Sequence, residues 1–269
     1  YQGRKYCLAC TSGGYGIHIA LRAMGLQAGD EVLTNAYTLA PVPGAIHAAG
    51  GKPVLVEIDE NYHLDLADLK AKAKASKAKI LLLSLMRGHI PNMQQLMTLC
   101  NELGIKVLED CAHTMGASWD GIKSGNFGQV AAFSLQTYKH LNTGEGGLVV
   151  TDDAQIAARL IMHSGSYMLY ERHGAAPAPE VFENIRLVSA NMSGRMDNMR
   201  AAALRAQIPG LDANCARWNE RYEVLAEGLR AIRGVRLPNR FAEERYVGSS
   251  IQFCLPDYSQ DQMAAVVQR

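Results

Sequence analysis

The sequence predicts an α/β protein: a large three-layer α/β/α domain around a mostly parallel sheet, then a smaller α+β domain that is only partly represented. Strand-like apolar runs alternate with helix-like periodic segments from the N-terminus, the pattern in which crossover helices join parallel strands. "KILLLSL" (79–85) is apolar at almost every position, as a strand covered on both faces must be. After residue 153 the alternation gives way to long helical patterns, so the chain divides into 1–209 and 210–269.

In chain order, "KYCLACT" (5–11) reads as a buried strand, followed by a glycine-rich turn and the helix "YGIHIALRAMG" (15–25), which ends near Gly25. "DEVLTN" (30–35) and "KPVLVEID" (52–59) are strands, and "LDLADLKAKAKA" (64–75) is a helix. "MQQLMTLCNELG" (93–104) has helical spacing and a terminating Gly104. "IKVLEDC" (105–111), "QVAAFSL" (129–135) and "GLVVTD" (147–152) are three more strands, and 153–163 is helical. "HGAAPAPE" (173–180) reads as a loop, and 196–233 as helices interrupted at Pro209-Gly210. "SSIQFCLP" (249–256) reads as a strand before a last short helix.

With 269 residues, 48% of them hydrophobic, the chain can bury a substantial core. A net charge of +1 gives no reason to expect nucleic acid or an acidic membrane. The densest basic run, "KAKAKASKAK" (70–79), is a solvated helix face. No apolar run approaches the roughly 18 residues of a membrane span, and "YQGRKYCLAC" lacks a signal-peptide layout. Six cysteines are few for this length, which suggests reduced thiols in a cytoplasm. The two in "CLAC" lie three apart on a strand, hence on opposite faces, and read as core residues rather than metal ligands; no metal site is expected.

In parallel α/β sheets, ligands gather beyond the carboxyl ends of strands. Three features fall there. "TSGGYG" (11–16) can bring backbone N–H groups and a helix N-terminus to an anion, although it matches neither the dinucleotide nor the Walker pattern. In "LEDCAH" (108–113), Asp110 ends an apolar strand, where a carboxylate needs a cation or hydrogen bonds, and His113 follows three residues on. In "SLQTYKHLNTGEGG" (134–147), Ser134 ends a strand and Lys139 follows in a loop. Taken singly these read as a turn, an N-cap and a surface lysine. Together they supply what pyridoxal phosphate (PLP) requires: an amine for its aldehyde, an acid for its ring nitrogen, and groups for its phosphate.

These segments resemble the DegT/DnrJ/EryC1/StrS sugar aminotransferases, within the aspartate-aminotransferase-like (fold type I) PLP enzymes. "TSGGYGIHIALRAMGLQAGDEVL" is similar to the family's SGT-x-AL-x-x-AL block. "LEDCAHTMGASWDGIKSGNFGQVAAFSLQTYKHLNTGEGGLVVTDD" is similar to its ED-x-A-[QH]-x-x-G through GEGG region, and "SGRMDNMRAAALRAQI" to its RM-x-x-x-x-AA segment. The resemblance implies that Lys139 binds PLP covalently and Asp110 pairs with the pyridinium. It places His113 beside the ring, Ser134 on the phosphate, and Gly13, Gly14 and Tyr15 in the phosphate-side turn. Gly14 stands where the family has threonine, and Leu39 where an aromatic often stacks on the ring. The asparagine that reaches the neighbouring subunit's phosphate aligns with Ser193, with Asn191 close by. Relative to the family the chain begins late and ends early.

The resemblance further implies transfer of an amino group from an amino acid, glutamate or glutamine, to a keto-sugar, nucleotide-linked, or to a keto-cyclitol. It implies a homodimer with the active site at the interface. A sugar dehydratase of the same family, in which histidine replaces the lysine, is one alternative, given the adjacent His140. Cysteine desulfurase is another, although there histidine precedes the lysine, and here Tyr138 does. A PLP-binding regulator without turnover is the third, suggested by Gly14 and Leu39.

Overall fold

The computed structural model describes residues 1–166 and 170–268. The apolar runs of the first half become strands, and the segments between them helices. The order begins β1 (Tyr6–Cys10), α1 (Gly13–Ala23), β2 (Glu31–Asn35), α2 (Pro41–Ala48), β3 (Lys52–Val56) and α3 (Leu66–Ala75). It continues with β4 (Ile80–Ser84), α4 (Met93–Glu102), β5 (Lys106–Asp110) and the short strands β6 (Ser118–Trp119) and β7 (Ile122–Lys123). β8 (Val130–Ser134), β9 (Gly147–Thr151) and α5 (Ala154–Ser164) follow, then α6 (Asn198–Gln207), α7 (Leu211–Arg230), β10 (Glu244–Arg245) and α8 (Gln260–Val267).

Seven strands make the central sheet, in the order β1-β9-β8-β5-β4-β2-β3. The run from β3 to β8 is parallel, and β9 lies antiparallel to both β8 and β1. The reversal follows from the β8–β9 connection. Leu135 N–H bonds Gly146 O (2.8 Å) and Thr143 N–H bonds Leu135 O (2.9 Å), so the chain doubles back instead of crossing over. Lys139 is carried in that doubled-back loop.

Alternate strand residues point to opposite faces, which splits the core in two. Val32, Ile80, Leu82, Leu108 and Val130 pack with α1, α2 and α5. Leu33, Leu81, Leu83, Val107 and Phe133 pack with α3, α4 and the start of α7, through Leu211 and Cys215. Each buried Leu, Ile or Phe contributes about 1.5–3 kcal/mol, and two such faces make the three layers. A three-stranded sheet, β10-β6-β7, lies apart from the main one.

The structure corrects several expectations. Residues 249–256 form no strand; that stretch makes a single bridge, Arg236 to Cys254, because no neighbouring strand is there to complete a ladder. Helix α2 falls in a stretch for which the sequence predicts no element, and it opens on Pro41, with Pro43 and Gly44 following. Pro41 occupies the first helical position, where its missing N–H has no intrahelical use. Helix α1 starts at Gly13, two residues earlier than its apolar periodicity indicates. Cys10 is buried but Cys7 is exposed on β1, so only one of that pair belongs to the core. All six cysteines are free.

Candidate active site

The carboxyl ends of β2, β4, β5 and β8 finish together beside the N-terminus of α1, and between them is a cavity of about 240 Å³. Its floor at one end is the first turn of α1. Ser12 caps that helix, its Oγ accepting the Tyr15 N–H at 3.1 Å. The Gly13 and Gly14 N–H groups have no intrahelical acceptor, as at any helix start, and the first turn carries no acidic residue. A Cβ on Gly13 would lie 2.8 Å from Ser134 Cβ, so only glycine lets the helix end rest on the end of β8. Gly147 is needed from the other side, where a Cβ would stand 2.3 Å from Ser12 O. N–H groups, the Ser134 hydroxyl and the positive end of the helix converge here, a combination suited to phosphate.

A Cβ on Gly14 would meet only Pro41 Cβ, at an ordinary 3.5 Å. Gly14→Ser is therefore expected to stabilise the protein by about 0.5–1 kcal/mol through a less flexible unfolded chain. It should also bind inorganic phosphate more tightly, as melting curves and a phosphate titration would measure.

Asp110 forms the middle of the cavity. It is buried, with one carboxylate oxygen accepting the Ala112 N–H (3.1 Å) and the other the Ser84 hydroxyl (3.2 Å). Ser84 Oγ in turn accepts from Thr38 Oγ1 at 2.7 Å, and Asn35 clamps the Ser84 backbone through both its amide atoms. Burial pushes the Asp110 carboxyl up, against these hydrogen bonds and the Lys139 charge, which pull it down. A buried carboxylate so placed gains most from a cation brought to it.

Lys139 lies across from it. Its Nζ is 2.7 Å from His113 Nε2. Burial lowers the Lys139 amine and Arg87 adds to that, with Asp110 opposing. Burial, then Lys139 itself, holds His113 down to about 3, so His113 stays neutral and accepts from the ammonium. The neighbouring His140 faces the other way. Its Nδ1 donates to Met115 O (2.7 Å), which leaves Nε2 to accept from Ser249 Oγ (2.8 Å), and its ring lies 5.1 Å from that of Trp218. His140 thus ties the lysine loop to α7 and to the C-terminal segment.

Of the residues expected from sequence, Gly13, Gly14, Leu39, Asp110, His113, Ser134 and Lys139 line this one cavity. Tyr15 does not: its N–H is taken by Ser12, and its hydroxyl donates to His163 O at 3.0 Å. Nearby, Tyr37 packs its ring 5.0 Å from that of Tyr62. Asn191 Oδ1 accepts the Ser193 N–H at 3.0 Å, on an exposed turn. Sequence reasoning passed over Thr38, Ser84 and Gln136, which also line the cavity. Thr38 and Ser84 follow or end strands as Asp110 and Ser134 do, and that was the available signal. Among the described residues, no group of three or more His, Cys, Asp or Glu side chains could hold a metal ion, and no helix is long and apolar enough to cross a membrane.

Residues 1–268 match the DegT/DnrJ/EryC1/StrS aminotransferase family. The chain belongs to that family. As a family member it is 33% identical over 217 residues to the GDP-perosamine synthase of Caulobacter vibrioides, covering 80% of this chain and 55% of that protein. It is also 33% identical over 224 residues to a pleiotropic regulatory protein of Geobacillus stearothermophilus, covering 82% of this chain and 55% of that one. The crystal structure of 3-amino-5-hydroxybenzoic acid synthase superposes with a TM-score of 0.85 at 28% identity, over 99% of this chain and 68% of that chain. The likeness extends to the mostly parallel seven-stranded sheet with helices on both faces. The chain spans about half the length of these two relatives, 55% of each.

Proposed function

We propose that this family member binds PLP in the cavity and transfers an amino group from an amino acid, glutamate or glutamine, to a keto-sugar carried on a nucleotide. The observation that carries the reading is the meeting of the ends of β1, β5 and β8: the start of α1 after β1, Asp110 on β5, and Ser134 on β8 with the loop bearing Lys139. The donor set fits the cofactor. Gly13, Gly14 and Ser134 would hold its phosphate, Asp110 would meet the protonated ring nitrogen, and Lys139 would be its covalent partner. Bound PLP would supply an electrophilic carbon for amines and a sink for the electrons of a carbanion.

The chain's own groups supply the rest. Burial lowers the proton affinity of Lys139, which favours the free amine that would serve as nucleophile and then as a base at the donor α-carbon. His113, neutral and 2.7 Å away, orients the Lys139 amine as a hydrogen-bond acceptor. Asp110 would hold positive charge at the ring, and Leu39 would offer it an apolar surface by dispersion alone. Leu187, Val188 and Met199 are 78%, 83% and 84% exposed, which supports a homodimer, with the active site completed by the second copy. We retain 210–269 as a second domain, seated on the first through Leu211, Cys215 and Val247.

Addition of L-glutamate alone to PLP-loaded protein should release one equivalent of 2-oxoglutarate and change the cofactor's absorbance. Borohydride treatment of the untreated form should fix the cofactor's mass on the peptide containing Lys139. Cofactor bound without any response to amino acids would defeat the reading and favour the regulator, which the regulatory relative from Geobacillus stearothermophilus supports. The dehydratase alternative has less support, because His140 is held away from the cavity by Met115 and Ser249.

A further inference from the structure

Arg87 stands where the chain turns sharply after β4, next to Met86, which lines the cavity. Its backbone is left-handed (φ 56°, ψ 18°), a conformation that costs energy for a residue with a Cβ and that clusters at functional sites. The turn is fixed on every side. Leu85 N–H bonds Asp110 O (3.1 Å), Gly88 N–H bonds Leu85 O (3.1 Å), and Arg240 donates to Gly88 O (2.7 Å). Gly88 lies so near the backbone of His113 that a Cβ on it would be 3.3 Å from His113 O. The backbone of the strained residue is therefore held beside the histidine that contacts Lys139.

The side chain is not used by the fold. Arg87 is exposed and, among the described residues, makes no hydrogen bond or ion pair. Its charge is nevertheless felt at the site: after burial, it is among the influences on Lys139, His113 and Tyr37. Among the described residues, Asp110 is the one carboxylate lining the cavity. With Asp110 committed to the cofactor ring and Lys139 to its covalent partner, as proposed above, Arg87, beside the cavity-lining Met86, is among the described residues a cation free to receive an anion there.

We propose that the Arg87 guanidinium binds the α-carboxylate of the amino donor. The planar fork of arginine matches a carboxylate with two parallel hydrogen bonds. Proximity decides between the two anions the reaction would bring. The α-carboxylate of an amino acid lies one carbon from its reacting amine, so it must come to rest beside Lys139. The phosphates of a nucleotide-linked sugar are separated from the reacting carbon by the sugar ring.

This inference rests on the aminotransferase reading, and the experiment separates the two. Calorimetry of the PLP-loaded protein would measure binding of glutarate, a donor analogue with no amine, of uncharged glutaramide, and of uridine diphosphate. Arg87→Met should weaken glutarate at least tenfold, Arg87→Lys less, and neither should alter glutaramide or uridine diphosphate. Both substitutions keep the Cβ and the exposed position, and equal melting temperatures would show the fold unchanged. Equal glutarate affinity in Arg87→Met, no glutarate binding by the unmodified protein, or a loss confined to uridine diphosphate would each overturn the assignment. Failure of both L-glutamate and L-glutamine to release their 2-oxo acids from the unmodified protein would instead overturn the aminotransferase reading, whatever glutarate does.

Discussion

Asp110→Asn is expected to slow amino transfer by about 10³-fold, while the cofactor-free protein melts at a higher temperature than its parent near neutral pH. Both effects have one origin. Asparagine keeps the shape and an oxygen for the Ala112 N–H, but it never carries the charge that burial penalises. The sign follows from linkage. The folded protein holds the Asp110 proton more tightly than the unfolded chain does, because burial raises this carboxyl. The associated stability is complete below the unfolded value, about 3.9, and disappears as pH rises through the raised folded value. The melting gap between variant and parent should therefore widen from pH 4 to pH 7.5. Loading with PLP should narrow it, since a protonated ring nitrogen brings the parent the cation it lacks and gives the variant nothing comparable. A gap that stays constant with pH would show that Asp110 is not destabilising in the folded state. Unchanged turnover would remove it from the active site.

Much of this was legible because the relevant physics is local. "ILLLS" must be covered on both faces, and a carboxylate or lysine at the end of such a run has few structural uses. The antiparallel return of β9 was not legible, since it depends on which carbonyl Leu135 and Gly146 find, and no side chain announces that. Residues 249–256 have a strand's composition, yet a strand exists only where a partner's N–H and C=O groups are presented, and only Arg236 supplies them. Tyr15 follows directly after two glycines that do line the cavity, but one further step round α1 turns its side chain toward His163. His140 shows the same limit. Its neighbour Lys139 faces the cavity, whereas its own ring bonds Met115 and Ser249, 25 and 109 residues away in sequence. The left-handed conformation of Arg87 has no signature in "LMRGH" beyond the glycine that follows.

Glu109→Ala should cost about 3–9 kcal/mol, enough to leave little or no folded protein. Glu109 and Asp110 are adjacent carboxylates at the end of one strand, where successive side chains face opposite ways. The structure points them to opposite sides. Glu109 is fully buried and accepts three backbone N–H groups, from Gly125 (2.9 Å), Phe127 (2.8 Å) and Gly128 (2.7 Å). Those donors belong to the glycine-rich loop between β7 and β8, whose carbonyls at Gly125 and Gly128 accept from Arg4 at 3.0 and 2.6 Å. Removing the carboxylate strands three donors in a dry interior, each at about 1–3 kcal/mol, and leaves a cavity as well. Glu109→Gln keeps the volume and an acceptor for Phe127 and Gly128, but sets an NH₂ against the Gly125 N–H, so it should lose only about 1–3 kcal/mol. Urea denaturation of the two variants would measure the difference. If Glu109→Ala unfolded at the same urea concentration as the parent, the loop's donors would have found water, and Glu109 would not be what fixes the loop to the sheet. Where both variants fold, turnover should fall only in proportion to the folded fraction, because Glu109 reaches none of the groups lining the cavity. That separates the two neighbouring carboxylates by experiment: Asp110 faces the cavity, and Glu109 holds the scaffold.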